Sequence, residues 1–161
     1  MKVQQDYIRS LIFGFEDGLV STTGAVVGVS AGTQDPNIVA LTGIVVIAVE
    51  SLSMGVGQYL SERSTHQLEP QNHQDSLKVG AVTMFVSYFV AGLVPVVPVL
   101  LFGLPLGIIV AITAALVALF GLGYFKGKYV KVSAARSGLE MLLLGGGAML
   151  IGSAVGYLFR V

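Results

Sequence analysis

Residues 45–60 read VVIAVESLSMGVGQYL, and this stretch decides the fold. It carries a single charge, Glu50, and no proline. An α-helix rises ~1.5 Å per residue, so about 20 apolar residues cross a ~30 Å hydrocarbon core. The run that contains it, about residues 38–60, is long enough. It therefore reads as a membrane-spanning helix with a carboxylate inside it. A charge at that depth costs about 2.5–3.5 kcal/mol even on lenient scales, so it calls for a functional explanation.

The rest of the chain agrees. Of 161 residues, 54% are hydrophobic and only 11% are charged. Soluble domains usually carry roughly 25% charged residues. Mean hydropathy is +0.82. A soluble protein of this size has too little interior to hide so much apolar surface, so the solvent is a bilayer. There is no cysteine, which excludes disulfides and thiolate metal sites. Formal net charge is zero, which argues against a nucleic-acid partner. MKVQQDYIRS lacks a signal-peptide apolar region and cleavage site, so the first apolar run is read as a retained helix.

Five apolar runs are expected to span, at about 10–32, 38–60, 78–97, 104–125 and 137–159. The fold class is all-α, a polytopic membrane protein forming one transmembrane domain over residues 1–161. TQDPN is an Asp-Pro turn between the first two spans. The third connector is expected to contain Pro95, Pro98 and Pro105, because proline disrupts a helix interior. The connectors at 61–77 and 126–136 hold most of the basic residues. Lys2, Arg9, Arg63, Lys78, Lys126, Lys128, Lys131 and Arg136 share one side, and Arg160 alone lies opposite. The excess of Lys and Arg on cytoplasmic loops puts the N-terminus in the cytoplasm and the C-terminus outside or in a lumen.

Four carboxylates lie within spans: Glu16, Asp17, Glu50 and Glu140. Asp17 sits ~10 Å into the first span, and Glu50 is ~12 Å from the same face of the antiparallel second span. Two carboxylates at one depth form a cation site, a proton site, or both. Glu50, Met54 and Gln58 follow at i, i+4, i+8 and share a helix face. Asp17, Ser21, Gly24 and Gly28 form a matching stripe. A thioether beside carboxylates suits Fe²⁺ or Mn²⁺ better than Mg²⁺ or Ca²⁺. Against this stands a plainer reading, in which the carboxyls are protonated and bonded to Ser or Thr and Met54 is packing filler. Glu16 points about 100° away from Asp17. Glu140 is expected to pair with Arg136 at i−4.

On the polar side of the second span, Glu62, His66 and Glu69 fall on one face if the helix continues, and His73 follows. Such a face could receive a divalent metal before entry. The alternative is a solvated helix end with an ion pair to Arg63. Gly24, Gly28 and Gly32 form a small-residue row that lets helices approach closely, within or between subunits. No nucleophile–base pair, phosphate loop, dinucleotide fingerprint or HExxH is present, so no enzyme is expected.

FGFEDGLVSTTGAVVGVSAG in the first span and SLSMGVGQYLSERS in the second resemble the vacuolar iron transporter family. The resemblance covers the whole chain. It implies a homodimer whose first two helices line a central pathway, and export of Fe²⁺, often also Mn²⁺, from the cytoplasm against a proton flow. Asp17 matches the family's first-span pathway aspartate, and Met54 its second-span methionine. Gln58 stands where the family usually has Glu. The connector of about 17 residues replaces the long Glu-rich cytoplasmic domain of characterised members. The expected function is therefore proton-coupled transport of Fe²⁺ or Mn²⁺, with no permanent cofactor. It would take place in the plasma membrane of a prokaryote or the vacuolar or organellar membrane of a eukaryote. A same-fold transporter or channel for another substrate, or a non-transporting scaffold, is the alternative.

Overall fold

A computed structural model describes residues 2–68 and 76–160. They form five α-helices: α1 (Lys2–Gly32), α2 (Pro36–Leu68), α3 (Ser76–Phe102), α4 (Leu106–Val130) and α5 (Ala134–Leu158). There is no strand among the described residues. Each helix holds a segment long and apolar enough to cross a membrane. The chain is thus an integral, multi-pass membrane protein.

The helices overrun the expected spans. Hydropathy reports only the part dissolved in hydrocarbon, whereas a helix continues until backbone chemistry stops it. The α1–α2 turn shows such a stop. Asp35 Oδ1 accepts from Asn37 N–H at 2.8 Å, and Asp35 N–H donates to Thr33 Oγ1 at 3.3 Å. Asp35 thus caps α2, and Pro36 takes its first position, where a missing N–H costs nothing.

One expectation is overturned. Pro95 and Pro98 lie inside α3, not in the connector. Of the three prolines, only Pro105 remains in the connector, with Gly103 and Leu104. Pro95 and Pro98 deprive the Ala91 and Val94 carbonyls of their helical donors, but both prolines are buried. Proline is tolerated in membrane helices because neighbouring helices and local adjustments accommodate the freed groups. The stop comes at Gly103, which adopts the left-handed conformation (φ 63°). Its N–H bonds to the Val99 carbonyl at 2.9 Å. Gly favours this cap because it has no Cβ to clash.

α1 is central and touches all four other helices. Around it α2 packs on α3, α3 on α4, and α4 on α5. Among the described residues α2 and α5 do not meet, so the ring is open and α1 shows through the gap. The core lies along α1. Leu19, Ala91, Ala115, Leu119 and Met149 form one buried cluster. Val26, Val39, Ile47, Val96 and Val99 form the centre of another.

Candidate functional site in the membrane

The site is built on α1, at the second turn of the FGFEDG motif. Gly14 and Gly18 bring α1 hard against α3. A Cβ at Gly14 would lie 2.8 Å from the Met84 carbonyl oxygen, and one at Gly18 2.5 Å from that of Tyr88. This close approach sets Asp17 and Ser21 beside the middle of α3.

Asp17 is half-buried. Its carboxylate lies within electrostatic reach of Glu50 on α2 and of neighbouring Glu16. Glu50 is thus near enough to Asp17 for the two charges to interact across the α1–α2 contact. Glu50 itself is exposed on the surface of the single protomer. α2 buries the row Gly43, Ile47, Ser51, Gly55 against its neighbours, and Glu50, Met54 and Gln58 sit one residue round from it. They form the rim of the site rather than its floor. Met54 and Gln58 are half-buried there. Among the described residues, no three His, Cys, Asp or Glu side chains converge on one point. Any ion held here is met by a carboxylate pair with softer and neutral donors around it.

Ser21 has a different role from the one expected. Its hydroxyl donates to the Asp17 backbone carbonyl at 2.7 Å, not to the carboxylate. Its oxygen also meets the Tyr88 hydroxyl from α3. With the Ser21 proton committed to α1, Tyr88 is the donor. Tyr88 is fully buried, and both Asp17 and Glu50 lie within electrostatic reach of it. The sequence reading missed Tyr88. The available signal was a phenol in the middle of an apolar span, since a buried Tyr normally finds a partner for its hydroxyl.

The polar continuation of α2 is helical through Leu68, as a shared Glu62–His66 face requires. Glu62 and His66 are half-buried while Arg63, Ser64 and Thr65 are exposed. Glu62 does not pair with Arg63. Its Oε1 accepts from the Gln58 side-chain amide. Its carboxylate lies over Gly80 of α3, where a Cβ would come within 3.1 Å of both oxygens. Its Oε2 is buried and has no hydrogen-bond partner among the described residues. Glu69 and His73 lie outside the described residues. Arg136 holds Glu140 at 3.3 Å, as expected.

The glycine row packs within the chain. A Cβ at Gly28 would lie 2.8 Å from the Gly152 carbonyl oxygen, and one at Gly32 3.1 Å from that of Gly156. Gly24 stands opposite Ala148 and Gly152. The row thus binds α1 to α5. Its partners, Gly152 and Gly156, were not singled out in the sequence. At the open side of the ring, this row and Ile38, Val155 and Phe159 line an apolar groove of about 580 Å³.

Five helices long and apolar enough to span a membrane define a polytopic membrane protein. The profile of the VIT family matches residues 8–79 and 65–157, and the chain belongs to that family. It is 26% identical over 160 residues to vacuolar iron transporter homolog 2 of Arabidopsis thaliana, covering 92% of this chain and 82% of that one. Against an uncharacterized protein of Methanocaldococcus jannaschii it is 29% identical over 154 residues, covering 83% and 80%. The match to vacuolar iron transporter homolog 4 of A. thaliana is 35% over 63 residues, only 39% of this chain and 32% of the relative.

Proposed function

We propose that this chain is a proton-coupled transporter of divalent transition-metal ions, Fe²⁺ and also Mn²⁺, that works as a homodimer and moves metal out of the cytoplasm. One observation carries the proposal. Asp17 and Glu50, on adjacent helices, come within electrostatic reach of each other at membrane depth. Two interacting carboxylates within a membrane span repel each other unless a proton or a cation is shared between them. A divalent metal arriving from one side displaces the proton, and reprotonation releases the metal on the other. Met54, on the rim beside Glu50, adds a soft donor.

The dimer is supported by the exposure of Glu50. In one protomer this side chain faces outward from the middle of an apolar helix. Lipid cannot solvate it, and charged groups in spans normally face a bundle interior or a water-filled cavity. A second copy laid along the open gap between α2 and α5 converts the rim into a lined pathway. Family membership and the plant relatives, vacuolar iron transporter homologs by name, support metal as cargo. The basic residues gathered at one end support a cytoplasmic N-terminus.

The test is uptake of Fe²⁺ or Mn²⁺ into proteoliposomes with internal pH recorded together. Asp17→Asn and Glu50→Gln each abolish uptake while the dimer elutes unchanged in size-exclusion chromatography. Wild-type transport by both variants would overturn the site. Metal uptake without any pH change would overturn the coupling. Absence of divalent transport by the wild type would favour a membrane scaffold.

A further inference from the structure

A second groove lies between α1 and α4, at the end of the bundle that carries the basic residues, with a volume of about 520 Å³. That is within the roughly 300–1,000 Å³ range of small-molecule sites. Its lining is mostly apolar, with Ile12, Phe13 and Val130 in it, and includes Arg9, Lys126 and Tyr129. Phe13 is 50% exposed and Tyr129 58% exposed, so the groove opens outward. Among the side chains described, those from Tyr7 onward, Glu16 lines the same groove but makes no ion pair with Arg9 or Lys126. We propose that this groove is a specific binding site for an anionic phospholipid, with the phosphodiester on Arg9 and Lys126 and one acyl chain along Ile12 and Phe13.

The chemistry follows the order of groups along the helices. Arg9 lies near the start of the apolar stretch of α1 (Tyr7–Gly32) and Tyr129 near the end of α4, the level where headgroups and aromatic belts sit. A guanidinium fork matches two phosphate oxygens, and an ammonium on a flexible stem follows the charge as a point donor. Basic pockets between membrane helices are recognised headgroup sites. Glu16 also lines the groove. It is about 10 Å deeper along α1 than Arg9, seven residues at ~1.5 Å each. With two basic groups and one acidic group in its lining, the groove keeps a net positive charge. The proposal does not rest on the metal pathway, and its test does not read transport.

The protein is reconstituted into vesicles of equal phosphatidylglycerol and phosphatidylcholine, extracted in mild detergent, and its retained lipid counted by native mass spectrometry. Phosphatidylglycerol is expected to be retained in preference to phosphatidylcholine. Arg9→Gln and Lys126→Gln each reduce that preference about fivefold, the effect of one basic group at an anionic surface. Arg9→Lys with Lys126→Arg keeps it, which separates lost charge from misfolding. Lys128→Gln with Lys131→Gln, at the same end but outside the groove, also leaves it unchanged. Equal retention of both lipids by the wild type overturns the proposal. So does an equal loss in the Lys128/Lys131 control, which would reduce the effect to general surface charge.

Discussion

The Tyr88 hydroxyl of α3 donates to the Ser21 hydroxyl of α1, which in turn donates to the Asp17 carbonyl. This short chain ties the helix that bears Asp17 to a fully buried partner. Tyr88→Phe leaves the ring packing and removes the donor. The expected loss is about 0.5–1.5 kcal/mol, the net value of one buried hydrogen bond, and nearer 0.6 if membrane averages apply. Thermal unfolding in detergent measures it. Metal uptake should fall as well, because the turn carrying Asp17 loosens. Unchanged stability and uptake would show the contact to be incidental.

The α1–α5 seam predicts opposite effects from one substitution type. Gly28→Ala drives a Cβ to 2.8 Å from the Gly152 carbonyl oxygen, and backbone has no rotamer with which to yield. Overpacking of this kind costs about 1–3 kcal/mol. Gly147, also in a helix, has nothing within 4 Å of a Cβ. Gly147→Ala should therefore stabilise by up to about 0.5–1 kcal/mol through helix propensity. Paired melting curves check both signs.

Glu62 is held by Gln58 on one oxygen and lies over Gly80, with its other oxygen unpartnered. Glu62→Ala with His66→Ala should weaken metal binding from the basic side of the membrane, read by calorimetric titration of the reconstituted protein. Gly80→Val, which pushes the carboxylate off its seat without removing it, should produce part of the same loss. An unaltered titration in both would dismiss this face as a metal entry.

Arg136 and Glu140 form an ion pair at i, i+4 with side chains 82% and 59% exposed. Such pairs contribute little, about 0.3–0.5 kcal/mol, because water already solvates both charges. A double-mutant cycle with Arg136→Ala and Glu140→Ala should return a coupling of that size, and neither change should alter transport. A coupling several times larger would mean that lipid, not water, surrounds the pair.

The sequence alone determined that there are five membrane helices and which of them carries each carboxylate. Those are properties of each segment against its solvent: hydropathy reads the hydrocarbon-dissolved length, and helix rise converts residue number into depth. It misjudged Pro95 and Pro98, because proline's cost is set by what surrounds the freed carbonyls, and that is a matter of neighbours. Only the tertiary structure decided that the Gly24–Gly28–Gly32 row faces α5, that Tyr88 completes the Ser21 contact, and that Gln58 holds Glu62. In a bilayer, one apolar face is as well solvated by lipid as another, so hydrophobicity does not choose helix partners. Backbone approach at small residues and a few hydrogen bonds make that choice. They belong to pairs of helices and leave no mark in either helix read by itself.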